Sequence, residues 1–214
     1  MKIIYLLLFL IFSVSSFVSD LQLTLNFNSD SIWRGISQND KEPTISSELD
    51  YMNNKGFMFG TWIENCCAKS KASSKSETGI YLGYFKSFKE IELQVIYKKF
   101  HYQNQKNLNL DELQFMFNFY NFELLLVNGI NQSPNYYEFS YIVPVKIGQF
   151  NISYGDYDSP YVFPEENGSN LKFEYSTSLD TLSFSFAYFY FNSNGNSSLN
   201  EDGVYMTISK KINF

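Results

Sequence analysis

Polar and apolar residues alternate with period two through most of the chain after residue 20, a pattern that few folds accept. Leu21, Leu23, Leu25 and Phe27 fall on one face, Gln22, Thr24, Asn26 and Asn28 on the other. The same phase recurs in 45–51, 91–95, 113–119, 171–175 and 182–190. Strict alternation marks a strand with one apolar and one polar face. Turn signals cut the chain into strands expected at 21–33, 44–52, 57–65, 77–86, 89–100, 110–119, 122–129, 136–145, 147–156, 170–178, 181–191 and 202–214. Their connections differ in length. Residues 53–56, 87–88, 120–121 and 179–180 form tight turns, whereas 66–76, 101–109, 157–169 and 192–201 are long, polar and rich in Ser, Asn, Lys and Gly.

Composition narrows the choice. Phe and Tyr number 22 and 17, yet mean hydropathy is −0.22. So many rings at so low a hydropathy fit either a secreted β-sandwich or a transmembrane β-barrel. After Asp20 there is no second apolar run of helical length, so entry into a membrane would have to be by strands closed into a barrel. Short turns at one end, long loops at the other and an even strand number are the barrel pattern. The expected fold is all-β: a single antiparallel up-and-down transmembrane β-barrel of 12 strands, with both termini on the periplasmic side. Weak punctuation around 120–122 and 145–147 leaves the count between about 10 and 14. A sandwich hiding the same apolar face is the alternative. A net charge of −6 without a basic patch argues against nucleic acid as a partner.

Both chain ends bear on location. Lys2, the apolar run Ile3–Phe12 and the small residues Ser13, Val14, Ser15 and Ser16 form a secretory signal peptide over 1–16, leaving 17–214 as the barrel. The run is too short to span a bilayer as a helix. At the other end, Val204, Met206, Ile208, Ile212 and Phe214 share the apolar face up to the last residue, interrupted by Lys210. A terminal strand ending in Phe resembles the signal by which bacterial outer-membrane barrels are recognised. The expected location is the bacterial outer membrane. The expected partners are outer-membrane lipids, the barrel-assembly machinery through Phe214, and small hydrophilic solutes.

Residues 29–65 carry a more specific likeness. Arg34, Gly35, Ile36, Ser37 and Gln38 are followed by Pro43, by Leu49, Asp50 and Tyr51, and by Gly56, Gly60, Trp62 and Asn65. The block resembles the opening of the TorF-type porin family, and 77–84 resembles that family's next strand. Trp33 stands where the family has Phe, Asn39 where it has Thr or Ser, and Cys66-Cys67 is outside its pattern. The resemblance implies a barrel more firmly than it implies conduction.

The polar phase places Glu48, Asp50, Glu64, Glu92, Glu112, Glu123, Glu138 and Glu174 inward, with Lys98, Lys172 and Lys211 on the same face. Carboxylates in excess favour cations in a pore. The expected function is a passive, weakly cation-selective channel, and these residues, Lys211 apart, are candidate pore-lining groups together with Arg34. Arg34 is the only arginine; parity continued from the first strand points it into the lumen, where its rigid fork would pair with an inward acid and fix the first loop. Met58, Trp62, Tyr81, Phe85 and Phe189 share the inward phase and allow a plugged barrel of structural or adhesive role instead. No catalytic set, metal site or cofactor motif is present: His101, the single histidine, opens a polar loop, and Cys66 and Cys67 are adjacent. In an exported protein those thiols could be free, joined to each other, or bonded to another chain.

Overall fold

A computed structural model describes residues 19–66, 74–103, 110–131, 133–158 and 167–214. The signal-peptide segment and Cys67 lie outside these residues. Twelve strands form the wall: β1 (Ser19–Asn28), β4 (Thr44–Asn53), β5 (Phe57–Glu64), β6 (Glu77–Phe88), β7 (Ile91–Tyr102), β8 (Leu110–Phe119), β9 (Phe122–Ile130), β10 (Asn135–Pro144), β11 (Gln149–Asp158), β12 (Gly168–Leu179), β13 (Leu182–Ser193) and β14 (Glu201–Asn213). Each pairs antiparallel with its neighbours, and β1 closes the barrel on β14 from Gln22 opposite Asn213 to Asn28 opposite Thr207. No wall strand has a free edge, so each can span an apolar medium without orphaned backbone groups.

Alternation and burial agree. Leu25, Phe27, Phe59, Ile63, Leu82, Phe115, Phe139, Phe173 and Phe186 all stand exposed on the outer face. Rings crowd that face toward the end with the short turns, where Phe57 meets Tyr84 at 5.3 Å, Phe122 meets Tyr141 at 4.9 Å and Phe150 meets Tyr175 at 5.1 Å between centroids.

The sequence expectation fails most clearly in the first strand. The first strand, expected over 21–33, ends at Asn28. Beyond it the chain leaves the wall and folds a small hairpin, β2 (Ile32–Trp33) against β3 (Ile36–Ser37). Arg34 and Gly35 form its two-residue turn, both with positive φ (51° and 83°), as a type I′ turn demands. Arg34 thus reaches the interior on a turn, not by strand parity. Holding an arginine there costs about 1–3 kcal/mol, a strain that persists only where the surroundings enforce it. Gly35 is required twice over, because a Cβ would also sit 2.5 Å from Asn170 Cβ. His101 also differs from expectation: it lies within β7, opposite Thr78, on the outward phase.

Candidate functional site in the barrel interior

The hairpin is tied to the walls on the far side of the lumen. The Arg34 guanidinium bonds Glu112 Oε1 at 2.7 Å, with the two side chains 6% and 0% exposed. Ser133 Oγ donates to the same oxygen at 2.8 Å and Gln114 Nε2 to the other at 2.7 Å, so Glu112 is fully partnered. The guanidinium carbon lies 4.5 Å from the Trp33 ring centre and 4.7 Å from that of Tyr136. Its second amino nitrogen is buried and makes no hydrogen bond among the described residues. An arginine fits here because its flat cation stacks on rings while its edge pairs with a carboxylate. On the other flank of the hairpin, Glu201 accepts the Ser37 amide at 3.1 Å and the Asp202 carbonyl accepts Lys41 Nζ at 3.2 Å.

Asp30, at the root of the hairpin, is buried and accepts the Ser37 hydroxyl at 2.9 Å. Burial pushes its carboxyl above the usual range, the Ser37 bond pulls it partly back, and Glu201 adds a smaller upward push. A carboxyl whose folded value is raised contributes stability that is complete below its unfolded value and is lost as pH rises through the folded one. The hairpin should therefore resist protease better as pH falls through that window. Limited proteolysis across pH, with Asp30→Asn as the pH-insensitive comparison, measures this.

A cavity of about 470 Å³ lies beside the hairpin, bounded by Trp33 and Arg34 and by wall strands β4, β5 and β7 to β10. Glu48, Glu64, Lys98 and Glu138 all line it. Glu64 accepts Thr44 Oγ1 at 2.8 Å, and Glu138 accepts the Tyr136 hydroxyl at 2.6 Å. The other candidates stand elsewhere. Asp50 accepts the Tyr81 hydroxyl and lines a second cavity of about 480 Å³ toward the turn end. Glu92 and Glu123 sit at the turn-end rim, where Asn118 donates to Glu92 at 3.3 Å. Lys172 and Glu174 pair at 3.6 Å on β12.

Several bulky inward side chains pack directly over glycines. A Cβ on Gly60 would meet the Tyr81 ring at 2.2 Å, one on Gly79 the Trp62 ring at 2.1 Å, and one on Gly155 the Tyr136 hydroxyl at 2.2 Å. Trp62 is held against the wall by its Nε1 bond to Glu77 Oε1 at 2.8 Å and by an edge-on contact with Phe100. Glu77 was missing from the inward acids, although its parity with Tyr81 and Phe85 would have found it. Tyr136, Tyr157 and Asn170, which flank the hairpin, carry no local signal of that role. Cys66 is buried against this aromatic cluster and is disulfide-bonded. No group of metal-ligating side chains occurs among the described residues.

The family described as "Bacterial protein of unknown function" (Gcw_chp) matches residues 15–132, more than half of the chain. No curated protein matches significantly. Among solved structures, the KdgM porin aligns with TM-score 0.58 at 6% identity over 91% of this chain and 99% of its own, and its complex with disordered oligogalacturonate gives 0.59. The NanC porin gives 0.55 at 9% identity, over 90% of this chain and 100% of its own. The COG4313 outer membrane channel from Pseudomonas putida F1 gives 0.51 at 8%, over 92% and 95%. At these identities the likeness is one of fold.

Proposed function

The chain belongs to the Gcw_chp family of bacterial proteins, and on that premise we propose that it is an outer-membrane channel through which small hydrophilic solutes diffuse, with a preference for cations. The carrying observation is a closed wall, apolar and ringed with aromatics outside, around a polar interior in which Glu48, Glu64 and Glu138 face one cavity. An apolar band with an aromatic girdle suits a bilayer, and a signal peptide over 1–16 would deliver the chain to it. Phe214 is exposed at the turn end, where the assembly machinery would meet it. The TorF-type likeness of 29–65 falls within the matched stretch, and the KdgM complex is a precedent for a hydrophilic solute in a barrel of this shape.

Planar-bilayer recording under a salt gradient tests the channel. Discrete steps are expected, with a reversal potential of the sign for cations, reduced by Glu48→Gln. An anion-signed potential would overturn the selectivity. One observation favours a second reading, a barrel of structural or adhesive role: the hairpin is latched across the interior by a buried ion pair. A folded, heat-modifiable barrel that never conducts would support that reading instead.

A further inference from the structure

Opposite charges line the 470 Å³ cavity, and among the described residues no two of them form an ion pair with one another. Lys98 forms no ion pair among the described residues; its ammonium stands 5.9 Å from the centre of the Trp62 ring. Glu48 and Glu64 likewise form no ion pair among the described residues, although Lys98 and Lys211 both stand within electrostatic range of Glu48. Glu64 takes a hydroxyl from Thr44, and Glu48 shares its strand face with another acid, Asp50. Glu112, opposite Lys98 in the strand register, is already saturated by Arg34, Ser133 and Gln114. Trp62, Phe100, Met116 and Leu125 supply apolar lining. Charges without a contact partner in a partly desolvated space each gain from a close counter-charge.

We infer that this cavity is a binding site for a small zwitterion with an apolar body, the chemistry of a free apolar amino acid or dipeptide. The carboxylate lies toward Lys98, the ammonium toward Glu48 and Glu64, and the side chains against Trp62 and Leu125. A simple cation would leave Lys98 without a contact partner, and a simple anion would face three acids, Glu48, Glu64 and Glu138. The volume lies within the range of small-molecule sites. The inference rests on reading the interior as a solute path and names the class of solute.

The chain has two tryptophans, Trp33 and Trp62, and both line this cavity, so intrinsic fluorescence reports occupancy directly. The purified, detergent-held barrel is titrated with L-leucyl-L-leucine, with its C-terminal amide, which is only a cation, and with its N-acetyl form, which is only an anion. The dipeptide should give a saturable change, at least tenfold tighter than either derivative. Lys98→Gln should weaken the dipeptide tenfold and leave the amide untouched; Glu48→Gln should weaken the dipeptide and the amide but not the N-acetyl form. Each variant's fold is checked by heat-modifiability. Equal binding of dipeptide and amide, or equal weakening of both by Lys98→Gln, overturns the inference. Bilayer conductance on the same preparation separates the two readings: conduction without saturable fluorescence removes the site and keeps the channel, whereas saturable binding by a folded barrel that never conducts keeps the site and removes the channel.

Discussion

Arg34→Ala is expected to cost the barrel about 3–5 kcal/mol of unfolding free energy and to free the hairpin from the wall. The size of the effect comes from Glu112, which is fully buried and would lose its one ion-pair partner among the described residues. Ser133 and Gln114 would still donate to it, but two neutral donors do not offset a buried negative charge. The aromatic stack over Trp33 and Tyr136 is lost in the same step. Glu112→Gln in the Arg34→Ala background should recover much of the loss, because no charge is then left uncompensated. Arg34→Lys should fall between, keeping the charge while losing the planar fork and the stack. Urea unfolding in lipid vesicles and the temperature of the gel-mobility shift give the stability. In bilayers, release of the hairpin should appear as larger or noisier steps. If Arg34→Lys matched the native protein in all three, the latch would not fix the loop.

This contrast separates what the sequence carries from what it does not. The wall is legible because each strand announces itself through neighbours two residues apart, and every predicted strand from Thr44 onward corresponds to a wall strand within a few residues. The first strand was overrun because Ser29–Trp33 continues to offer plausible strand residues. What ends the strand there is the hairpin's contacts with Glu112, Asn170 and Glu201, between about 80 and 170 residues away in sequence, and period two holds no trace of them. The same limit applies to the site. Parity placed Glu48, Glu64, Lys98 and Glu138 on the inner phase, and the structure gathers them at one cavity. Parity could not say that Glu92 and Glu123 stand at the rim, because depth along the barrel depends on strand tilt and register. Nor could it distinguish rings that project into the lumen from rings that lie along the wall, which the glycines opposite them decide.

Those glycines set the second large effect. Gly79→Ala should cost about 1–3 kcal/mol and narrow the cavity, because the new methyl would stand 2.1 Å from Trp62 Cη2 and Cζ2. Backbone relief is limited, since Gly79 is fixed in the ladder between Trp62 on β5 and Phe100 on β7. The indole must therefore swing off the wall, breaking its bond to Glu77 Oε1 and its edge contact with Phe100, and the space it enters is the cavity that Lys98 and Glu48 share. Three readouts should move together: a shift in tryptophan emission, a lower single-channel conductance and a lower unfolding free energy. A double-mutant cycle identifies the cause. In a Trp62→Leu background the smaller side chain leaves room for the methyl, so Gly79→Ala should become nearly neutral and conductance should be restored. An undiminished cost in that background would place the strain in the strand itself, and the ring over Gly79 would then have no part in shaping the cavity.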